Sequence, residues 1–119
     1  VFIPIKHDLE GKYFGCHDDD LTMYIDRKGE RVVIGIWDKT VTDTGEYDLT
    51  YKRAQREVYY LPPPYAPGFQ TNPLHTGKLH IRYWDKQKHV MAGTFSFDAM
   101  SADSSVVHIT NGRFDMIYN

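Results

Sequence analysis

Cysteine is nearly missing from this chain. Its one cysteine, Cys16, cannot close an internal disulfide, so the packed core has to hold the fold. A lone thiol fits a reducing cytosol and equally a secreted domain that needs no bridge. Strong helix formers are scarce too: Ala, Leu, Glu and Gln together supply 18 of 119 residues. No apolar run approaches the ~18 residues of a spanning helix, which excludes a transmembrane helix. Neither sign of charge dominates. The formal net charge is −2 and no basic cluster offers a nucleic-acid surface. Phosphate loops, nucleophile elbows, zinc-protease helices and paired-cysteine metal patterns are all lacking.

What is abundant favours sheet. Val, Ile, Thr, Tyr, Phe and Trp make up 42 of 119 residues, and such side chains suit a pleated, half-buried surface. The length is that of one domain, residues 1–119, which buries roughly two thirds of its unfolded surface. The chain starts at Val1 without an initiator methionine and reads as a processed or trimmed form. The charged residues Lys6, His7, Asp8, Glu10 and Lys12 leave no intact signal peptide near the start. Residues 1–20 give a poorly defined opening segment.

Short alternating segments separated by turn signals predict a barrel or sandwich. Residues 1–5 read as an edge strand, because Pro4 cannot donate to a central ladder. Leu21, Met23 and Ile25 alternate with Thr22, Tyr24 and Asp26. A hairpin turn at Arg27-Lys28-Gly29-Glu30 leads to an inward row of Val32, Ile34 and Ile36, with Trp37 and Val33 on the other face. Tyr47, Leu49 and Tyr51 alternate next, and residues 52–57 read as a helical turn. Leu79, Ile81 and Tyr83 form another inward row before a turn at Asp85-Lys86-Gln87-Lys88. On the return strand Val90 and Ala92 differ in parity from Phe95 and Phe97, so a β-bulge is expected at Gly93. Asn111-Gly112 is the strongest two-residue hairpin signal. That hairpin pairs Thr110 with Arg113, Ile109 with Phe114, Val107 with Met116 and His108 with Asp115.

Three segments of the C-terminal half resemble the closing motifs of a family of small Bacteroides-type exported lipoproteins of unknown function. They are Gly77-Lys78-Leu79-His80-Ile81, Ala92-Gly93-Thr94-Phe95-Ser96-Phe97 and Val107-His108-Ile109-Thr110-Asn111-Gly112-Arg113-Phe114-Asp115. Gly45-Glu46-Tyr47-Asp48-Leu49 is similar to that family's Gly-x-Tyr-x-Leu strand. The resemblance covers roughly residues 21–118. It implies an all-β domain in an extracytoplasmic setting, periplasmic or anchored at the outer membrane through an upstream lipidated cysteine. It supplies no catalytic residues and no cofactor.

Several clusters invite chemistry and have plainer readings. Cys16 and His17 are neighbours, so on a strand they point to opposite faces and cannot form a dyad. His17-Asp18-Asp19-Asp20 fails the EF-hand pattern, since Met23 stands where glycine is needed, and reads as a solvated turn. His75, His80 and His89 do not converge in the expected register, so no metal site is assigned. His108 opposite Asp115 could orient an imidazole for acid–base work, giving an alternative reading as a small hydrolase or isomerase. The plainer reading of that pair is a surface charge pair.

Residues 59–73 hold five of the six prolines and are expected to be one long irregular loop. Such loops are uncommon unless functional. Tyr59, Tyr60, Tyr65 and Phe69 are the candidate binding residues, offering flat amphipathic faces to a small ligand, a glycan or a protein partner. The competing expectation is that these tyrosines lie back and seal one end of the fold. The reading is therefore a single antiparallel all-β domain of about eight to nine strands, with a lipocalin-like barrel favoured over a two-sheet sandwich. Its expected role is a non-enzymatic binding module.

Overall fold

The computed structural model describes residues 2–6, 10–17, 20–27, 29–53, 55–62 and 68–117, with the backbone alone described for 2–6, 10–17, 20 and 27. The period-two pattern of Leu21, Met23 and Ile25 builds β3 (Asp20–Arg27), and Val32, Ile34 and Ile36 build β4 (Glu30–Ile36). All six side chains are fully buried. Arg27 pairs with Glu30 across a tight turn in which Gly29 takes a φ of 84°, a conformation that suits a residue without Cβ. On the outer face Trp37 Nε1 donates to Thr22 Oγ1 at 2.8 Å, so that face of the hairpin is covered as well.

The remaining strands are β1 (Phe2–Lys6), β2 (Glu10–His17), β5 (Gly45–Asp48), β6 (Arg56–Leu61), β7 (Phe69–Gln70), β8 (Gly77–Asp85), β9 (Val90–Met100) and β10 (Val106–Ile117). All ten belong to one sheet, ordered β1-β10-β9-β7-β6-β4-β3-β2, with β5 and β8 branching from β9. The sheet curls until β2 lies against β10, so the single domain is barrel-like rather than a two-sheet sandwich. Neighbours are antiparallel except β1, which runs parallel to β10 and, among the described residues, pairs on one side only. Residues 1–20, expected to be poorly defined, contribute two strands.

The sheet forks at β9. Along one side β9 pairs with β8 from Val90 to Phe97, then with β7 at Met100. β8 and β5 thus form a wing whose strand pairing with the rest of the sheet runs through β9. Thr71 takes over where β7 ends: its amide donates to the Val58 carbonyl at 3.0 Å, and its Oγ1 accepts the Val58 amide at 3.1 Å. The buried core runs through every layer, from Leu21 and Ile34 to Phe95, Phe97, Ile109 and Phe114.

Two turn expectations fail. The expected helical turn over residues 52–57 gives way to a tight turn closed between Lys52 and Arg56, and Arg56 and Glu57 already belong to β6; the Lys52 carbonyl accepts the Gln55 and Arg56 amides. Asn111-Gly112 is no hairpin, because β10 runs straight through it. The turn between β9 and β10 lies at residues 101–105, where the Ser101 amide donates to the Ser105 carbonyl and Asp103 Oδ1 accepts the Ser105 amide. That carboxyl also accepts from the Ser101 hydroxyl, and this hydrogen bonding holds its pKa down at about 2.

Parity is corrected by bulges in other places than expected. Met91, Gly93, Phe95, Phe97 and Ala99 face the core without interruption, so β9 has no bulge at Gly93. Gly93 is needed for close approach instead: a Cβ there would collide with the His80 carbonyl and the Phe114 ring. In β10 the register jumps between Ile109 and Gly112. Thr110 and Asn111 form that bulge, with Asn111 at a φ of 55°. It shifts the core row from Val107 and Ile109 to Gly112, Phe114 and Met116. A second bulge interrupts β8 between Ile81 and Tyr83. Tyr83, expected inward, is turned out and is 51% exposed, while Trp84 packs against the core.

Candidate functional site

The straight course of β10 removes the catalytic pair expected from the hairpin. His108 stands opposite Asp98 on β9, and Asp115 stands opposite Ala92. His108 Nδ1 meets the Asp98 carboxylate through Oδ1, and both side chains are half-exposed. The hydrolase or isomerase reading built on His108 with Asp115 is therefore corrected: the two residues are separated along one strand.

Residues 59–73, expected to be one irregular loop, include strand residues at 59–61 and 69–70. Tyr59 and Tyr60 belong to β6 and pair with Gln70 and Phe69 of β7. Tyr60 and Phe69 are buried in the core with ring centroids 5.9 Å apart, so neither is presented to a partner. The Tyr60 hydroxyl donates to Glu30 Oε1 at 2.6 Å; burial first, and then this bond, push the phenol well above its usual range. Tyr59 is half-buried and donates to Glu57 Oε2 at 2.6 Å. Burial, reinforced by Glu57, pushes its pKa up to about 12. Tyr65 lies outside the described residues, as do Asp18 and Asp19 of the acidic turn.

A concavity lies elsewhere among the described residues, on the outer face of β8, β9 and β10. Core residues alternate inward along these strands, and the intervening residues point out. On the central strand β9 the outward residues are short, Thr94 and Ser96. The flanking strands carry long ones: Lys78, His80 and Arg82 on β8, and Arg113 on β10. Short residues between two long walls make a trough about 10 Å wide from backbone to backbone, given the strand spacing. Its volume is about 450 Å³, and Glu46, Phe95 and Asn111 also border it. Volumes of this order are typical of small-molecule sites.

Register aligns the trough. Glu46 of β5 is opposite His80, His80 is opposite Thr94, and Thr94 is opposite Arg113. The four form one row across four strands. A parallel row carries Asp48, Lys78 and Ser96. Lys78 Nζ lies 3.1 Å from Asp48 Oδ1, and His80 Nδ1 lies 3.9 Å from Glu46 Oε1. Arg82 makes no hydrogen bond or ion pair among the described residues. The trough thus carries three permanent cations and one carboxylate, in a chain whose net charge is −2.

Sequence reasoning passed over these residues because they are spread from 46 to 113. Alternation marked them as outward, but only the pairing register brings them together. A smaller hollow of about 380 Å³ lies beside Tyr83 and Trp84 at the β8–β9 turn. There Lys86 Nζ sits 4.8 Å from the Trp84 ring centroid and also donates to the Thr42 carbonyl. His80 is opposite Thr94, and His89 is in the turn with a φ of 57°. Among the described residues no group of three or more metal-ligating side chains converges.

A network on β6 supports the wing. Arg56 Nε donates to Asp38 Oδ2 at 2.6 Å, one terminal nitrogen donates to Thr40 Oγ1 at 2.9 Å, and the other donates to the Asp48 carbonyl at 2.5 Å. Burial alone raises the Asp38 carboxyl. Hydrogen bonds from Thr40 and Arg56, with the Arg56 charge, outweigh burial and hold it below its ordinary value. Comparison with known proteins yields no matching family model, no matching curated protein and no matching solved structure.

Proposed function

We propose that this chain is an extracytoplasmic, non-enzymatic β module that binds a small ligand in the trough over β8, β9 and β10. One observation carries the reading: outward hydrogen-bonding side chains from β5, β8, β9 and β10 line up in register around one concavity. Three cations, a carboxylate and two hydroxyls supply orientation without requiring any reaction at the site. The extracytoplasmic setting and the upstream lipid tether rest on the resemblance of the Gly93–Phe97 and Ile109–Asp115 segments. Fractionation of cells and mass spectrometry of the mature N-terminus test that part.

The expected Tyr/Pro-rich surface loses Tyr60 and Phe69 in this proposal, because both are occupied in the core. A fragment library screened by protein-observed NMR tests the choice of face. Binders that shift the amides of Lys78, His80, Arg82, Thr94, Ser96 and Arg113 support the trough. Binders that cluster at residues 62–68 return the binding role to the loop. A library without binders at either place overturns the binding-module reading.

A further inference from the structure

Resting on the trough as the ligand seat, we infer that its ligand is an acidic sugar: a hydroxyl-rich small molecule bearing one carboxylate or phosphate. Charge is the first argument. Lys78, Arg82 and Arg113 project from the two walls, Glu46 stands at the border, and Asp48 holds Lys78 at 3.1 Å, which leaves Arg82 as the cation open to an anion. Arg82 has no partner among the described residues, so its five donors are available for a planar or tetrahedral anion. A guanidinium is the side chain best shaped to grip a carboxylate or phosphate at two points.

The floor is the second argument. Thr94 and Ser96 lie on the same face of β9, two residues apart, and place two hydroxyls between the cationic walls. Each can donate and accept, as a sugar hydroxyl requires. Glu46 adds a pure acceptor at one end of its row, and Asn111 adds an amide at the opposite wall. An ion alone would need none of these neutral groups. A neutral sugar would leave the Arg82 guanidinium without a counter-charge.

The walls are the third argument. Both β-bulges of the β8–β9–β10 unit border this trough: Arg82 sits in the β8 bulge, and Asn111 sits in the β10 bulge at a φ of 55°. The β10 bulge puts Arg113 outward; continued alternation from Ile109 would have pointed position 113 into the core. Bulges re-aim side chains next to sites, and backbone kept in a sparsely populated region marks positions where orientation matters. Here both act on arginines of opposite walls.

The test is calorimetric titration of the protein with glucuronate, glucose 6-phosphate, glucose and inorganic phosphate at low ionic strength, with NMR mapping of the shifted amides. Glucuronate or glucose 6-phosphate is expected to bind at least tenfold more tightly than glucose and than inorganic phosphate, with shifts at Arg82, Thr94, Ser96 and Arg113. A preference between the two acidic sugars identifies carboxylate or phosphate as the anion. Arg82→Ala is expected to weaken the acidic sugar at least tenfold with Tm unchanged, and Arg82→Lys to retain part of the affinity. Glucose binding as tightly as the acidic sugars in the trough overturns the acidic class while leaving the module reading intact. Inorganic phosphate binding as tightly as glucose 6-phosphate overturns the sugar. Unchanged affinity in Arg82→Ala, or absence of trough shifts with all four probes, overturns the inference as a whole.

Discussion

Arg56→Ala removes a guanidinium that holds three acceptors at once: the Asp38 carboxylate, the Thr40 hydroxyl and the Asp48 carbonyl. The side chains of Arg56 and Asp38 are only 13% and 10% exposed, so the pair is largely shielded from water. Breaking a buried pair from one side costs about 3–5 kcal/mol, because the other charge is left behind without its partner. Thr40 still serves Asp38 after the change, and a fringe of solvent remains, so the lower end of about 3 kcal/mol applies. For a domain of this length each kcal/mol moves Tm by roughly 3–5 °C, which predicts a fall of about 10–15 °C. Urea unfolding followed by tryptophan fluorescence gives the free energy directly, with the m-value expected to stay constant.

A double-mutant cycle with Asp38→Asn isolates the pair. A loss below about 1 kcal/mol, the range of exposed ion pairs, would refute the reasoning. So would additivity of the two single changes. The pH dependence follows from the direction of the Asp38 shift. Its folded-state pKa is depressed, so the stabilisation is fully present above the unfolded value of about 4 and is lost as pH falls through the lower folded value. The stability gap between wild type and Arg56→Ala should therefore narrow only under acid conditions.

Thr71→Val leaves the buried Val58 amide without its acceptor and is expected to cost about 1–3 kcal/mol in urea unfolding. Asn111→Val forces a β-branched residue into positive φ and should cost about 1–2 kcal/mol, whereas Asn111→Gly should be nearly neutral. Tyr60→Phe removes a charge-assisted bond to Glu30 and should lower stability by about 1.5–3 kcal/mol. It should leave ligand affinity unchanged; lost affinity at full stability would instead return Tyr60 to a docking role.

Local periodicity made several elements legible. The β3–β4 hairpin, its inward rows and the turn after β8 follow from alternation and from glycine or polar turn residues. Pro4 marked β1 as an edge, but nothing local could reveal that its partner is the distant β10, or that the pairing is parallel. Asn111-Gly112 misled for a physical reason. Positive φ at Asn serves a hairpin and a bulge equally well, and the polar run at residues 101–105 supplied the real turn. The prolines drew the loop boundary too early, hiding the burial alternation of Val58 and Tyr60 in β6. Parity failed at Tyr83 because one extra residue in β8 reverses every assignment after it. The trough needed register across four strands, which no single segment encodes.

The fork at β9 bears on how the molecule breathes. β5 and β8 are zipped to the rest of the sheet along one seam, so they form a natural unit of local opening, below the cost of global unfolding. That unit carries Glu46, Lys78, His80 and Arg82, one bank of the trough, while Arg113 stands on the far bank. A ligand held by both banks acts as a second seam. Amide exchange in β5 and β8 should then slow on occupancy while exchange in β3 and β4 barely changes, which makes the wing a clock for residence at the site.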